Sequence, residues 1–139
     1  MLACIVVCIG IYIFGGAIYK DFTTTALAKR FPPSATDIHD YEWDEPGELS
    51  QDYCILVTAK LPKSELPVYA AQEGLRLITP TETALSPYWL DWSGCNPGET
   101  PAWWTPSSDI SQTYFFEGTS KWTFAKWEGG MLYVMAYNI

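Results

Sequence analysis

The chain has 139 residues, enough for one compact domain, and sixteen acidic against eight basic side chains leave it a net charge of −8. A protein that grips a phosphate backbone needs a Lys/Arg stripe, and no basic cluster here exceeds the Lys29-Arg30 pair, so no nucleic-acid partner is expected. Aromatic residues make up 16% of the chain. Each buried ring removes roughly 150–250 Å² from water, which predicts a core built from large rings, with a ligand platform of exposed rings as the competing use.

Residues 2–19 carry no charged side chain, and every Asp, Glu, Lys and Arg lies at or beyond Lys20. At about 1.5 Å per residue such a helix covers roughly 27 Å, close to the hydrocarbon thickness of a bilayer. Gly10, Gly15 and Gly16 weaken a helix in water but are common in membrane spans, and Tyr19 beside Lys20 suits an interface belt. The expectation is a single-pass signal-anchor protein: a transmembrane anchor over 2–19 with membrane lipid as its partner, a connector over 20–33, and an aromatic-rich domain over 34–139. A cleavable signal peptide would want a basic n-region, which is absent, and a lipoprotein reading at Cys4 has too little chain before it.

Sidedness has two arguments. Lys20, Lys29 and Arg30 follow the span, which by the positive-inside rule places the domain in the cytoplasm. The cysteines point the other way. Cys4 and Cys8 fall within the span, which leaves Cys54 and Cys95 as the domain's pair, a candidate disulfide of an exported protein, against the alternative of two buried thiols. An extracytoplasmic domain is the reading carried forward.

Within the domain, residues 38–44 alternate, with His39, Tyr41 and Trp43 on one side and Asp40, Glu42 and Asp44 on the other. Glu45-Pro46-Gly47 signals a turn, and residues 52–60 return as a strand apolar on both faces, hence central. Ser64 reads as an N-cap, with Leu66, Tyr69 and Ala70 as the core stripe of a short helix and Gly74 as its C′ residue. Between 79 and 111 regular patterning fails amid Pro80, Pro87, Pro97, Pro101 and Pro106. This segment is expected to wrap the sheet and insert tryptophans. Runs over 114–116, 121–127 and 131–137 then read as a meander, with Gly129-Gly130 supplying the positive φ of a tight hairpin. The fold class expected is α+β: an N-terminal transmembrane helix, then a small antiparallel sheet of a two-strand hairpin plus a C-terminal three-strand meander, with one short helix packed on it.

Chemistry-bearing motifs are sparse. The acids Asp37, Asp40, Glu42, Asp44, Glu45, Glu48 and Asp52 invite a calcium loop, but an EF-hand counted from Asp40 needs glycine where Glu45 stands and glutamate where Gln51 stands. His39 is the single histidine, without a second His or a Cys at ligand spacing. There is no phosphate-cradling glycine loop, no dinucleotide fingerprint and no nucleophile elbow. The expectation is a protein with no cofactor, no metal and no nucleotide, and not an enzyme. Trp89, Trp92, Trp103 and Trp104, with Asp91, Asn96 and Glu99 among them, are the candidate ligand-binding residues, able to stack on and hydrogen-bond a sugar ring or a peptide.

The connector, Phe31-Pro32-Pro33-Ser34-Ala35, a strand pair, a short helix and the terminal Trp127-Glu128-Gly129-Gly130-Met131-Leu132-Tyr133-Val134 hairpin together resemble small bacterial membrane-anchored or lipoprotein-like proteins. The resemblance implies no activity and supplies no site residues. The function expected is a membrane-tethered, non-enzymatic envelope protein whose domain binds another protein. The alternatives are a glycan- or peptide-binding module, an immunity-type inhibitor whose acidic face meets a basic toxin, and an accessory subunit of a membrane complex packing through Gly10, Gly15 and Gly16.

Overall fold

Apolar side chains on both faces of one strand require cover on both sides, and that requirement organises the domain. The computed structural model describes residues 26–44, 53–84, 90–95, 99–119 and 121–138. Strand β1 (Thr36–Asp44) and strand β2 (Tyr53–Lys60) pair antiparallel, with Tyr41 opposite Leu56. After β2 come a helix α1 (Leu66–Gln72), a two-residue strand β3 (Arg76–Leu77) and a one-turn helix α2 (Pro80–Ala84). Strands β4 (Tyr114–Glu117), β5 (Lys121–Glu128) and β6 (Met131–Asn138) complete one six-stranded sheet in the order β1-β2-β6-β5-β4-β3. β6 lies between β2 and β5, pairing Val134 with both Val57 and Ala125.

Each face of the sheet has its own cover. On the first, Val57, Ala125, Leu132, Val134 and Ala136 pack beneath Leu66, Tyr69 and Ala70 of α1 and beneath Leu27 and Ala28 at a 3-10 turn (Ala28–Arg30). On the second, Leu56, Phe115, Phe124, Tyr133 and Met135 pack beneath Leu90, Trp92 and Trp104 of the long segment between α2 and β4. The rings meet at graded angles, Trp104 standing edge-on to Tyr133 at 5.5 Å and Phe115 lying parallel to Phe124 at 6.4 Å.

Local chemistry sets the helix ends. At the C-terminus of α1 the Leu75 N–H donates to the Ala70 carbonyl and the Gly74 N–H to that of Ala71, with Gly74 at φ 69°. These are the two hydrogen bonds of a Schellman motif, and only glycine takes that φ without strain. The N-terminus departs from expectation. Ser64 lies inside a 3-10 turn (Lys63–Glu65), and Glu65 occupies the cap position of α1 without a side-chain cap bond.

Three corrections concern the architecture. The transmembrane helix expected over 2–19 lies outside the described residues, and among those described no helix is long and apolar enough to cross a membrane. The fold is one mainly β sheet rather than an α+β head behind a membrane helix, because α1 and α2 are only 7 and 5 residues long. The sheet has a sixth strand, β3, where the short pairing of Arg76 with Phe115 and Leu77 with Tyr114 leaves no periodicity to read.

Candidate functional site

The tryptophans singled out from the sequence divide by position. Trp92 and Trp104 are 3% and 6% exposed, part of the second core. The Trp104 indole N–H donates to the Trp92 carbonyl at 2.9 Å. Trp103 is half-buried and stacks on His39, with centroids 5.8 Å apart at 25°. Trp89 and Asn96 lie outside the described residues, Glu99 is exposed, and the Asp91 carboxylate accepts from the Ser93 N–H. The described tryptophans of the quartet therefore present no pair of exposed parallel rings, and Trp92 and Trp104 act as core wedges.

Two devices hold this segment on the sheet. A disulfide joins Cys54 of β2 to Cys95, with Cα atoms 5.5 Å apart. Lys126 of β5 is 4% exposed; its ammonium donates to the carbonyls of Ser107 and Asp109 and to the Ser107 hydroxyl, lies 3.3 Å from the Glu128 carboxylate, and sits 5.2 Å over the Trp92 ring. A Ser–Lys pair can in principle perform nucleophilic catalysis if the lysine accepts a proton. Here Nζ donates to two carbonyls and to the Ser107 hydroxyl, so it acts toward Ser107 Oγ as a donor rather than as a base, and the Ser107 N–H donates to Glu128 rather than toward a substrate oxygen. The arrangement is a clamp. The Ser107 N–H, then its hydroxyl and Lys126, hold the Glu128 carboxyl below its ordinary range.

One edge of the sheet belongs to β1, which lies beside β2 at one end of the strand order. The opposite edge, β3, is two residues long. A bulge between Thr36 and His39 starts β1, with Asp37 at φ 52°. That φ lies in the left-handed region, which Asp tolerates better than most residues. The bulge turns the Asp37 carboxylate onto Lys60 Nζ at 2.9 Å and His39 Nε2 at 3.1 Å. The hydrogen bond and charge of Lys60, and secondarily His39, lower the Asp37 pKa. Beyond the bulge, Tyr41 and Trp43 pack half-buried against the second core, while Asp40 and Glu42 stand on the other face with Glu42 exposed.

An open groove of about 500 Å³ lies between Lys60, Leu61 and Pro62 and the turn that joins Trp127 to Met131. Its one ring is already engaged. The Trp127 indole N–H donates to the Leu61 carbonyl at 2.7 Å, and Lys63 Nζ sits 5.5 Å over the ring. His39 is not part of the groove's lining. Among the described residues no hydroxyl or thiol is placed to be activated by the His39–Asp37 pair, and no three His, Cys, Asp or Glu side chains converge as metal ligands.

The acid–aromatic alternation of β1 was visible in the sequence, but its position at the sheet edge depends on which strand β2 takes as its other neighbour. Comparison with protein-family models, with curated proteins and with solved structures finds no match for this chain.

Proposed function

We propose that this chain is a non-catalytic protein-interaction domain of an oxidising, extracytoplasmic compartment, which receives an extended strand of its partner along the outer edge of β1. The position of the nine-residue β1 at the edge of the strand order carries the reading, because an edge strand offers main-chain donors and acceptors to an added strand while alternate side chains set specificity. The Cys54–Cys95 bond supports the compartment, since disulfides persist outside reducing cytosol. A glycan platform is less well supported, because the stacking faces of Trp92 and Trp104 are committed to the core.

A photoreactive residue placed at Glu42, on β1, and separately at Val68, exposed on α1, tests the surface in the native cell. Covalent adducts from position 42 and none from position 68 are expected, with Cys54 and Cys95 oxidised when thiols are trapped in intact cells. Equal adducts from both positions, or both cysteines found reduced, overturns the proposal.

A further inference from the structure

We propose that Cys95 is a site of reversible thiolation: a small thiol entering from solvent takes Cys95 Sγ into a mixed disulfide, and Cys54 is the buried thiol that resolves it. The two half-cystines of the one bond are held very differently. Cys54 is 7% exposed in a strand laddered on both sides, with Trp43 of β1 and Tyr137 of β6 directly opposite it. It belongs to the second core, beneath the segment that carries Trp92 and Trp104. Cys95 is partly exposed and lies outside any helix or strand, next to Gly94 at φ 113°.

A thiolate attacks a disulfide in line with the S–S bond, so the sulfur that solvent reaches is taken and the other leaves. Attack on Cys95 Sγ forms the bond to the incoming thiol, breaks the Sγ–Sγ bond and releases Cys54 as a thiolate, which then takes a proton. The incoming thiol is the only co-reactant. Attack on Cys54 Sγ would have to pass through the core. Opening at Cys95 is slow, because a thiolate released among apolar side chains is a poor leaving group. Return is fast, because both sulfurs keep their places. β1 and β6 hold the strand of Cys54. Trp92, 3% exposed, anchors the chain just before Cys95, and the turn is closed by the Ser93 N–H donating to Asp91 and the Thr100 hydroxyl donating to the Ser93 carbonyl. Once ionised again, Cys54 attacks Cys95 Sγ and expels the small thiol, an intramolecular step favoured by proximity. The staple therefore opens at one end and recloses on its own partner.

The test incubates the oxidised full chain with mercaptoethanol, in buffer and in denaturing urea, quenches in acid and maps the adducts by peptide mass spectrometry. In buffer, adducts are expected on Cys95 in roughly ten-fold or greater excess over Cys54; in urea, on both cysteines equally. Removing the free thiol at neutral pH before the quench should restore the Cys54–Cys95 bond. Equal adducts in buffer, the same Cys95 excess in urea, or no adduct in buffer overturns the assignment of Cys95. An adduct that persists after the free thiol is removed overturns the resolving role of Cys54.

Discussion

Cutting the covalent link between Cys54 and Cys95 tests how the second face of the sheet is kept covered. The half-cystines are 41 residues apart, and the chain-entropy relation for a loop of that size gives about 4 kcal/mol at 25 °C. That is a large share of the roughly 5–15 kcal/mol that stabilises a typical domain. Cys95→Ala is the informative variant, because Cys95 is only partly buried whereas Cys54 is 7% exposed and fills core volume as a thiol. For a domain of this size the expected loss corresponds to a fall in Tm of roughly 15 °C. Urea unfolding followed by tryptophan fluorescence reads the change, and the wild-type chain in reductant should coincide with the variant. Hydrogen exchange should show early opening of residues 99–112 while β2, β6 and β5 stay protected, since those strands retain α1 on their other face. If reduced and oxidised chains unfold within about 1 kcal/mol of each other, the loop is held by its rings and by Lys126 alone, and the loop-closure argument fails.

Lys126→Met removes the clamp and leaves the Ser107 and Asp109 carbonyls without their donor, for an expected loss of roughly 2–3 kcal/mol in urea unfolding, with faster exchange over residues 105–111. Tyr69 is fully buried with no partner for its hydroxyl, and burial raises its pKa above the usual tyrosine value. A raised folded-state pKa means that the unfolded chain releases this proton first, so stability falls as pH climbs past about 10. Tyr69→Phe should therefore be neutral or stabilising at pH 7 and should reduce the alkaline loss by up to about 1.4 kcal/mol per pH unit, measured by unfolding at a series of pH values. The Glu82 carboxyl is held at about 2, first by Arg76 and then by the Thr79 backbone N–H and hydroxyl. Its contribution is thus present above the ordinary glutamate range and lost as pH falls toward 2; carboxyl NMR titration should show this, and Arg76→Ala should move the midpoint up.

How much of the fold a reader of the sequence can recover depends on how local its cause is. The Gly129-Gly130 hairpin was legible because two positive φ values, 60° and 91°, need residues without a side chain. The central character of β2 was legible from apolar residues on both faces. Helix α2 was missed although its signal was present: Thr79-Pro80-Thr81-Glu82 is a capping box with proline at the first helical position, and the Glu82 N–H and Thr79 N–H are capped reciprocally. The prolines crowding the surrounding segment hid it. The roles of Trp92 and Trp104 were not legible, since a ring packed on a distant sheet and a ring offered to a ligand look alike along the chain. The edge position of β1 was not legible either, because it follows from β6 filling the far side of β2, a pairing between the first and last parts of the sheet.

That pairing governs how the domain comes into being. β2 cannot complete its hydrogen bonds until β6 is available, so the sheet assembles only after nearly the whole domain is present, and a high share of its contacts joins residues remote in sequence. Until then β2, paired on one side with β1, leaves its other edge open, and an apolar strand with an open edge aggregates readily. Shortening the chain ahead of Met131 would strand both β2 and β5 without their shared neighbour.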